Sequence, residues 1–239
     1  MANFLLLSSE SHLCFENERP SSIPLLKKQL LAGVLMLAGS FNVSAAGLDL
    51  ALSDDTAYLS LLLNPFVSYS GGECQTSNPS QNCDGGTELA LGVMTTEVGD
   101  RLLQASLMAR SARVSGDSFY DIAAGIKAIG GEIDYTERLD SPAIRDETVG
   151  ALALGMQIGT ILFRSPNNPV DMSASIFYAP SITSFAKADH YLEYGAQIQI
   201  EVIPSARAYL GYRHLEFQTD GYSDVEVDSN MHIGLRISF

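Results

Sequence analysis

The segment that most constrains the fold is the last fifteen residues, Val225 to Phe239, which alternate in polarity up to a terminal phenylalanine. Val225, Val227, Met231, Ile233, Leu235, Ile237 and Phe239 fall on one side. Glu226, Asp228, Asn230, His232, Gly234, Arg236 and Ser238 fall on the other. Successive side chains of a strand point to opposite faces, so this spacing predicts one apolar and one polar face. A half-buried strand of a soluble sheet can carry the same pattern. Repetition along the chain, with Leu, Ile and Val on one side and charge on the other, favours a barrel with lipid outside and polar side chains inside.

The pattern recurs upstream. In Tyr191 to Val202, Leu192, Tyr194, Ala196, Ile198, Ile200 and Val202 oppose Glu193, Gly195, Gln197, Gln199 and Glu201. In Arg207 to Phe217, Ala208, Leu210 and Tyr212 oppose Arg207, Tyr209, Gly211 and Arg213. Val170 to Pro180, Gly150 to Phe163 and Tyr120 to Gly130 behave alike, with Lys127 on the polar side of the last. Leu102 to Arg110 and Thr87 to Met94 are shorter, and Leu48 to Ser53 with Thr56 to Asn64 makes a first hairpin. No sustained helical period occurs beyond the N-terminal region. The expectation is an all-β, antiparallel transmembrane β-barrel of about ten strands, with eight as the alternative, because a tilted span needs roughly 9–11 residues.

The N-terminal region points to export. Lys27 and Lys28 precede the apolar run Leu30 to Leu37, and small residues follow through Val43-Ser44-Ala45-Ala46. A basic n-region, a short apolar h-region and a small-residue cleavage site form a secretory signal peptide. The run is too short to cross a bilayer as a helix, which takes roughly 20 residues. Residues 1–45 are therefore expected to be an N-terminal extension and signal peptide that is cleaved, and residues 46–239 the barrel. Met1 to Leu26 sit ahead of the basic n-region and carry Glu10, Glu16 and Glu18, which suggests translation from a non-AUG codon near Leu25.

Cleavage removes three basic residues (Arg19, Lys27, Lys28) and three acidic ones (Glu10, Glu16, Glu18), leaving 11 basic and 25 acidic residues and a net charge still at −14. So acidic a chain lacks the basic patch that nucleic-acid binding requires. The acids concentrate at Asp54-Asp55, Glu97 to Asp100, Glu132 to Glu147 and Asp220 to Asp228. These segments read as solvated loops, with divalent-cation binding near lipopolysaccharide as the sharper alternative. After cleavage Cys74 and Cys83 remain, an even pair in an oxidising compartment, expected to form a disulfide across a polar loop. Free thiols are the alternative. Two cysteines with no nearby histidine cannot complete a zinc shell.

Connection lengths suggest an orientation. With Phe239 at the periplasmic side, Ile203 to Ser205 and Ser165 to Pro169 become short periplasmic turns. Gln218 to Glu226, Ser181 to Asp189 and Gly131 to Glu147 become longer extracellular loops, the usual asymmetry. The same count puts the Cys74–Cys83 loop on the periplasmic side and short Glu97 to Asp100 outside, against the rule. Aromatic residues at predicted strand ends, Phe66, Tyr69, Phe163, Tyr178, Phe185, Tyr191 and Phe217, read as interfacial girdles.

These features carry a resemblance. The start Gly47-Leu48-Asp49-Leu50, the run Ala208-Tyr209-Leu210-Gly211-Tyr212-Arg213 and the ending Ile233-Gly234-Leu235-Arg236-Ile237-Ser238-Phe239 are similar to the YfaZ family of outer-membrane proteins. The Cys-bracketed loop looks like an insertion relative to the family pattern. The resemblance implies a small outer-membrane barrel and supplies neither an activity nor catalytic residues.

Chemistry is weighed on the polar faces. A turn centred on Pro204 sets Glu201 opposite Arg207 and Gly195 opposite Arg213. Charges in a narrow lumen need partners. Arg207, Arg213, Arg236, Lys127, Glu193 and Glu201, with His232, are therefore read as a polar network in the lumen. Barrels of this size are mostly filled by side chains, so a structural filling competes with a narrow solute pathway. For catalysis, His214 lies near Glu216, and His232 lies near Asp228 and Ser229. A His with an acid and a serine is the minimum for acyl transfer. Nevertheless Gly-x-Ser-x-Gly, HExxH, Walker and dinucleotide motifs are absent, and no cofactor is implied. The expected role is structural or a low-conductance pore. The alternatives are a surface-loop binding protein and an outer-membrane lipase or protease. The expected partners are outer-membrane lipid and the barrel assembly machinery, with Phe239 as the C-terminal assembly signal.

Overall fold

The protein is described by a computed structural model at residues 46–66, 82–115, 118–134, 147–163, 168–203, 205–219 and 222–239. Ten strands form an antiparallel up-and-down barrel: β1 (Ala46–Leu52), β2 (Thr56–Phe66), β3 (Asn82–Thr96), β4 (Arg101–Ser115), β5 (Ser118–Ile133), β6 (Glu147–Phe163), β7 (Val170–Ala179), β9 (Ala188–Ile203), β10 (Ala206–Thr219) and β11 (Tyr222–Ser238). The remaining strand, β8 (Ser184–Ala186), follows a 3-10 turn at Ser181–Thr183 and extends the edge of β6 past the end of β7. Each barrel strand pairs with the next in sequence. The ring closes where β1 meets β11, from Gly47 opposite Ser238 to Leu52 opposite Ile233. Closure leaves no long free edge around most of the wall, the condition for a sheet to sit in lipid. Ten strands settle the count, and the eight-strand alternative falls.

An even strand number puts Ala46 and Ser238 at one end, here the termini end. The β2–β3 connection, which contains Cys74, leaves Phe66 and returns at Asn82 at that same end. The first strands are thus counted correctly, and this connection is the long one on the short-turn side. The expected Cys74–Cys83 disulfide rests on Cys74, which lies outside the described residues. The expected signal peptide also lies outside them.

The alternation read from the sequence is the in–out alternation of the wall. Leu103, Ile122, Leu154, Met156, Ile158, Ile198, Leu210, Met231 and Ile233 all point outward and are exposed. A continuous apolar belt of this size is intolerable in water and suited to hydrocarbon. Several strands run to 14–17 residues, longer than the 9–11 that a span requires.

Three expectations are corrected. First, Val225 and Val227 do not share the outer face with Met231. The pairing of β10 and β11 steps from Leu215–Asp228 to Glu216–Glu226, so Val227 is an extra residue in a β-bulge. An inserted residue reverses the parity beyond it, and Val225 and Val227 turn inward and are buried. Second, Tyr191 and Phe217 are not girdle residues. Tyr191 shares parity with Glu193, and Phe217 with Arg213, so both point into the lumen, are fully buried and pack at 5.0 Å between ring centroids. Phe163, Tyr178 and Phe185 do lie outside and exposed. Third, the acids are not all solvated. Asp100 is fully buried, accepting hydrogen bonds from the Thr96 hydroxyl at 2.9 Å and the Asp134 N–H at 2.9 Å. Asp228 is buried in the lumen wall.

Candidate functional site

The lumen is layered. At the end away from the termini it is closed by an apolar plug. Met94, Leu102, Ile129, Ile133, Val149, Ala151, Tyr191, Leu215, Phe217, Val225 and Val227 project inward from seven different strands into one cluster. These are the inward positions at the far ends of the strands, and the strands lengthen there enough to carry a separate tier. Apolar side chains that face one another across a barrel this narrow exclude water and fill the section.

Below the plug lies a charged tier. Lys127 on β5 reaches across to Glu193 on β9, with Nζ 2.5 Å from Oε2, and both groups are buried. The Tyr191 hydroxyl donates to the same Glu193 oxygen, joining plug to charge. Phe177 lies beside the ammonium, with 5.0 Å from Nζ to the ring centroid. Arg213 on β10 binds Asp228 on β11 at 2.6–2.7 Å and lies 5.2 Å from the Tyr58 ring. Asp228 also accepts the Thr56 hydroxyl at 3.1 Å, tying β2 to β11. Arg236 binds Asp49 on β1 at 2.5 Å and 3.0 Å, and the Tyr209 hydroxyl donates to the other Asp49 oxygen at 2.6 Å. Each buried ion pair therefore receives at least one further hydrogen bond, on its carboxylate, the arrangement that offsets desolvation.

A third tier lies toward the termini end. Arg110 binds Asp121 at 2.7 Å and Glu88 at 3.5 Å. Arg207 lies opposite Glu201 in register, 3.4 Å from its carboxylate and 3.7 Å from that of Asp171. Side-chain exposure grades along the axis, 42% at Arg207 and 9% at Lys127, while Tyr191 in the plug has 0% exposure. Water thus reaches the lumen from the termini end and stops at the plug. Between the tiers is a cavity of about 180 Å³ lined by Lys127, Glu193, Arg213, Arg236 and His232 among others.

The structure places all seven sequence-read lumen residues inward, in two groups. Lys127, Glu193, Arg213, Arg236 and His232 line the central cavity, whereas Arg207 and Glu201 form a separate pair nearer the mouth. His232 makes an edge-to-face contact with Tyr209 at 5.8 Å, and its Nδ1 has no hydrogen-bond partner among the described residues. Missed by sequence reasoning were Asp49, Asp171, Tyr191 and Tyr209. The signal was present: each has the parity of the polar face of its strand. Phe239 follows the last strand and is 69% exposed. Among the described residues, no three acidic, cysteine or histidine side chains are placed to hold a metal ion.

Comparison with known proteins bears on the half of the barrel that carries most of these ions. The family model described as YfaZ precursor matches residues 145–239, from the start of β6 to the C-terminus. The YfaZ-matching stretch thus supplies Asp171, Glu193, Glu201, Arg207, Arg213, Asp228 and Arg236, whereas Asp49, Arg110 and Lys127 come from outside it. Among curated proteins, none matches the chain. Among solved structures, a "Bacterial polysaccharide outer membrane secretin" is similar at 15% identity over 81% of this chain and 69% of that one, with a TM-score of 0.37. The NanC porin, in a rhombohedral crystal form, is similar at 10% identity over 81% of this chain and 97% of that one, with a TM-score of 0.31.

Proposed function

We propose that this chain is a small outer-membrane β-barrel with a structural role and a lumen closed to solutes. It would reach the membrane through a cleaved N-terminal signal peptide, with its termini on the periplasmic side. The apolar belt and the YfaZ match support the location, and the signal-like N-terminal sequence supports the route. One observation carries the closed lumen: Tyr191, Phe217, Leu215, Leu102 and Ile133 fill the cross-section with no exposure above 1%. A solute pathway needs a continuous polar or water-filled route, and wide aqueous channels need about sixteen strands. The low-conductance pore is the competing reading.

Reconstitution in planar bilayers tests this. The wild-type barrel is expected to show no steps above the bare membrane. A plug-thinned variant, Tyr191→Ala with Phe217→Ala, is expected to open discrete low-conductance events. Regular steps from wild-type protein, unchanged by the double substitution, would sink the closed-lumen reading.

A further inference from the structure

The outer wall carries an arrangement that the lumen does not explain. His214 on β10 points outward, where its Nδ1 lies 3.1 Å from the Ser229 hydroxyl oxygen on β11 and its Nε2 lies 3.0 Å from the Glu216 carboxylate. A serine, a histidine and an acid are thus connected in that order through the two ring nitrogens. The ring is held by stacking on Tyr194, with centroids at 4.8 Å and planes at 28°, and its side chain is only 12% exposed although it is on the outer face. Glu226 stands 3.7 Å from Nδ1, a second carboxylate beside the ring. The Tyr212 hydroxyl lies 3.0 Å from Ser229 Oγ, a side-chain donor beside the nucleophile.

The position in the wall matters as much as the contacts. Along β10 the outward residues run Ala208, Leu210, Tyr212, His214, Glu216, so the apolar belt ends at a tyrosine and the ionisable groups come next. Tyr212 and Tyr194 mark headgroup depth, because amphipathic rings settle there. The acyl esters of a glycerolipid lie at the same boundary. Past Met231 on the same face, toward the termini, the belt holds an open apolar depression of about 630 Å³, lined by Ala208, Ile198, Leu210, Ile233 and Leu235. Ser229 to Leu235 spans about 20 Å along an extended strand, room for an acyl chain laid lengthwise.

We propose that Ser229, His214 and Glu216 form a serine esterase site on the outer wall, acting on the acyl ester of a glycerophospholipid whose chain lies in that depression. Ser229 Oγ attacks the ester carbonyl while His214 Nδ1 takes its proton. Glu216 holds the ring through Nε2–H and balances the imidazolium. Tyr212 donates to the developing oxyanion. Collapse breaks the ester C–O bond, and His214 returns the proton to the departing lysolipid alcohol. Water then attacks the acyl-serine with His214 again as base, which frees the fatty acid and restores Ser229.

The test uses the full barrel folded into phosphatidylcholine vesicles, with heat-modifiable migration confirming the fold of each variant. Two readouts are followed: fatty-acid release from a fluorogenic phosphatidylcholine, and covalent capture by a fluorophosphonate, in which an Oγ–P bond replaces P–F. Wild type is expected to do both, with the adduct mapped to Ser229. Ser229→Ala abolishes both, and His214→Asn lowers turnover at least about 100-fold. His232→Ala, on the inward face of the same strand, leaves both unchanged. Folded wild type that neither releases fatty acid nor is captured, or capture that persists in Ser229→Ala, overturns the proposal. Neither result touches the closed-lumen reading, which conductance decides.

Discussion

At the scale of single residues, the lumen is held by ions whose partners come from distant parts of the chain. Asp49 is the clearest case. It lies on the first strand and receives Arg236 from the last and Tyr209 from β10. Removing one member of a buried pair leaves the other charged and unpaired, a loss of about 3–5 kcal/mol, whereas removing both is far milder. Asp49→Ala is expected to lower the urea midpoint of the folded barrel strongly, and Asp49→Ala with Arg236→Met to recover much of it. Equal midpoints for wild type and Asp49→Ala would show that the pair does not stabilise the seam. Arg207, exposed at the mouth, is expected to matter little, since screened pairs contribute about 0–1 kcal/mol.

At the scale of elements, packing across neighbouring strands depends on missing side chains. Gly155 on β6 faces Phe177 on β7, and a Cβ at Gly155 would lie 2.1 Å from the Phe177 ring. The ring lies over the glycine, where it also meets Lys127. Gly155→Val is expected to displace Phe177, lower the unfolding midpoint and slow folding into vesicles, measured by the appearance of the heat-modifiable band. Strand identity and facing were legible in the sequence, because parity is a direct readout of which side of a wall a residue takes. Lys127, Arg213 and Glu193 were found this way. What was not legible is the bulge at Val227, since one inserted residue leaves no compositional mark yet reverses the facing of Val225. Tyr191 and Phe217 had the right parity for the lumen. Their aromatic character and place near strand ends suggested the interface instead. Parity was the stronger signal. The Ser229–His214–Glu216 contacts were half legible: His214 and Glu216 are two apart on one strand, but Ser229 joins them only through the β10–β11 register, where it pairs with His214.

At the scale of the whole molecule, the barrel combines three environments: an apolar exterior, a polar lumen and an apolar plug. The polar lumen is open to water toward the mouth and shielded from it at the plug. The plug-thinned variant is therefore expected to lose more than its packing, because water arriving from both ends would screen the Lys127–Glu193 pair. Hydrogen exchange followed on the plug-bearing ends of β9 and β10 should accelerate in that variant while the outer apolar strands near the termini keep wild-type protection. Uniform protection in both proteins would mean that the plug does not gate solvent.

The graded exposure from Arg207 to Tyr191 has a geometric consequence. The barrel is a cup rather than a tube, with a floor of hydrocarbon and a rim at the termini. On the closed-lumen proposal, anything that samples its interior, whether a proton, a small ion or a labelling reagent, would arrive and leave by the same opening. If the lumen is closed as proposed, a vessel with one mouth would buffer or hold rather than conduct a net flow, and its contents would report the composition of only one of the two compartments.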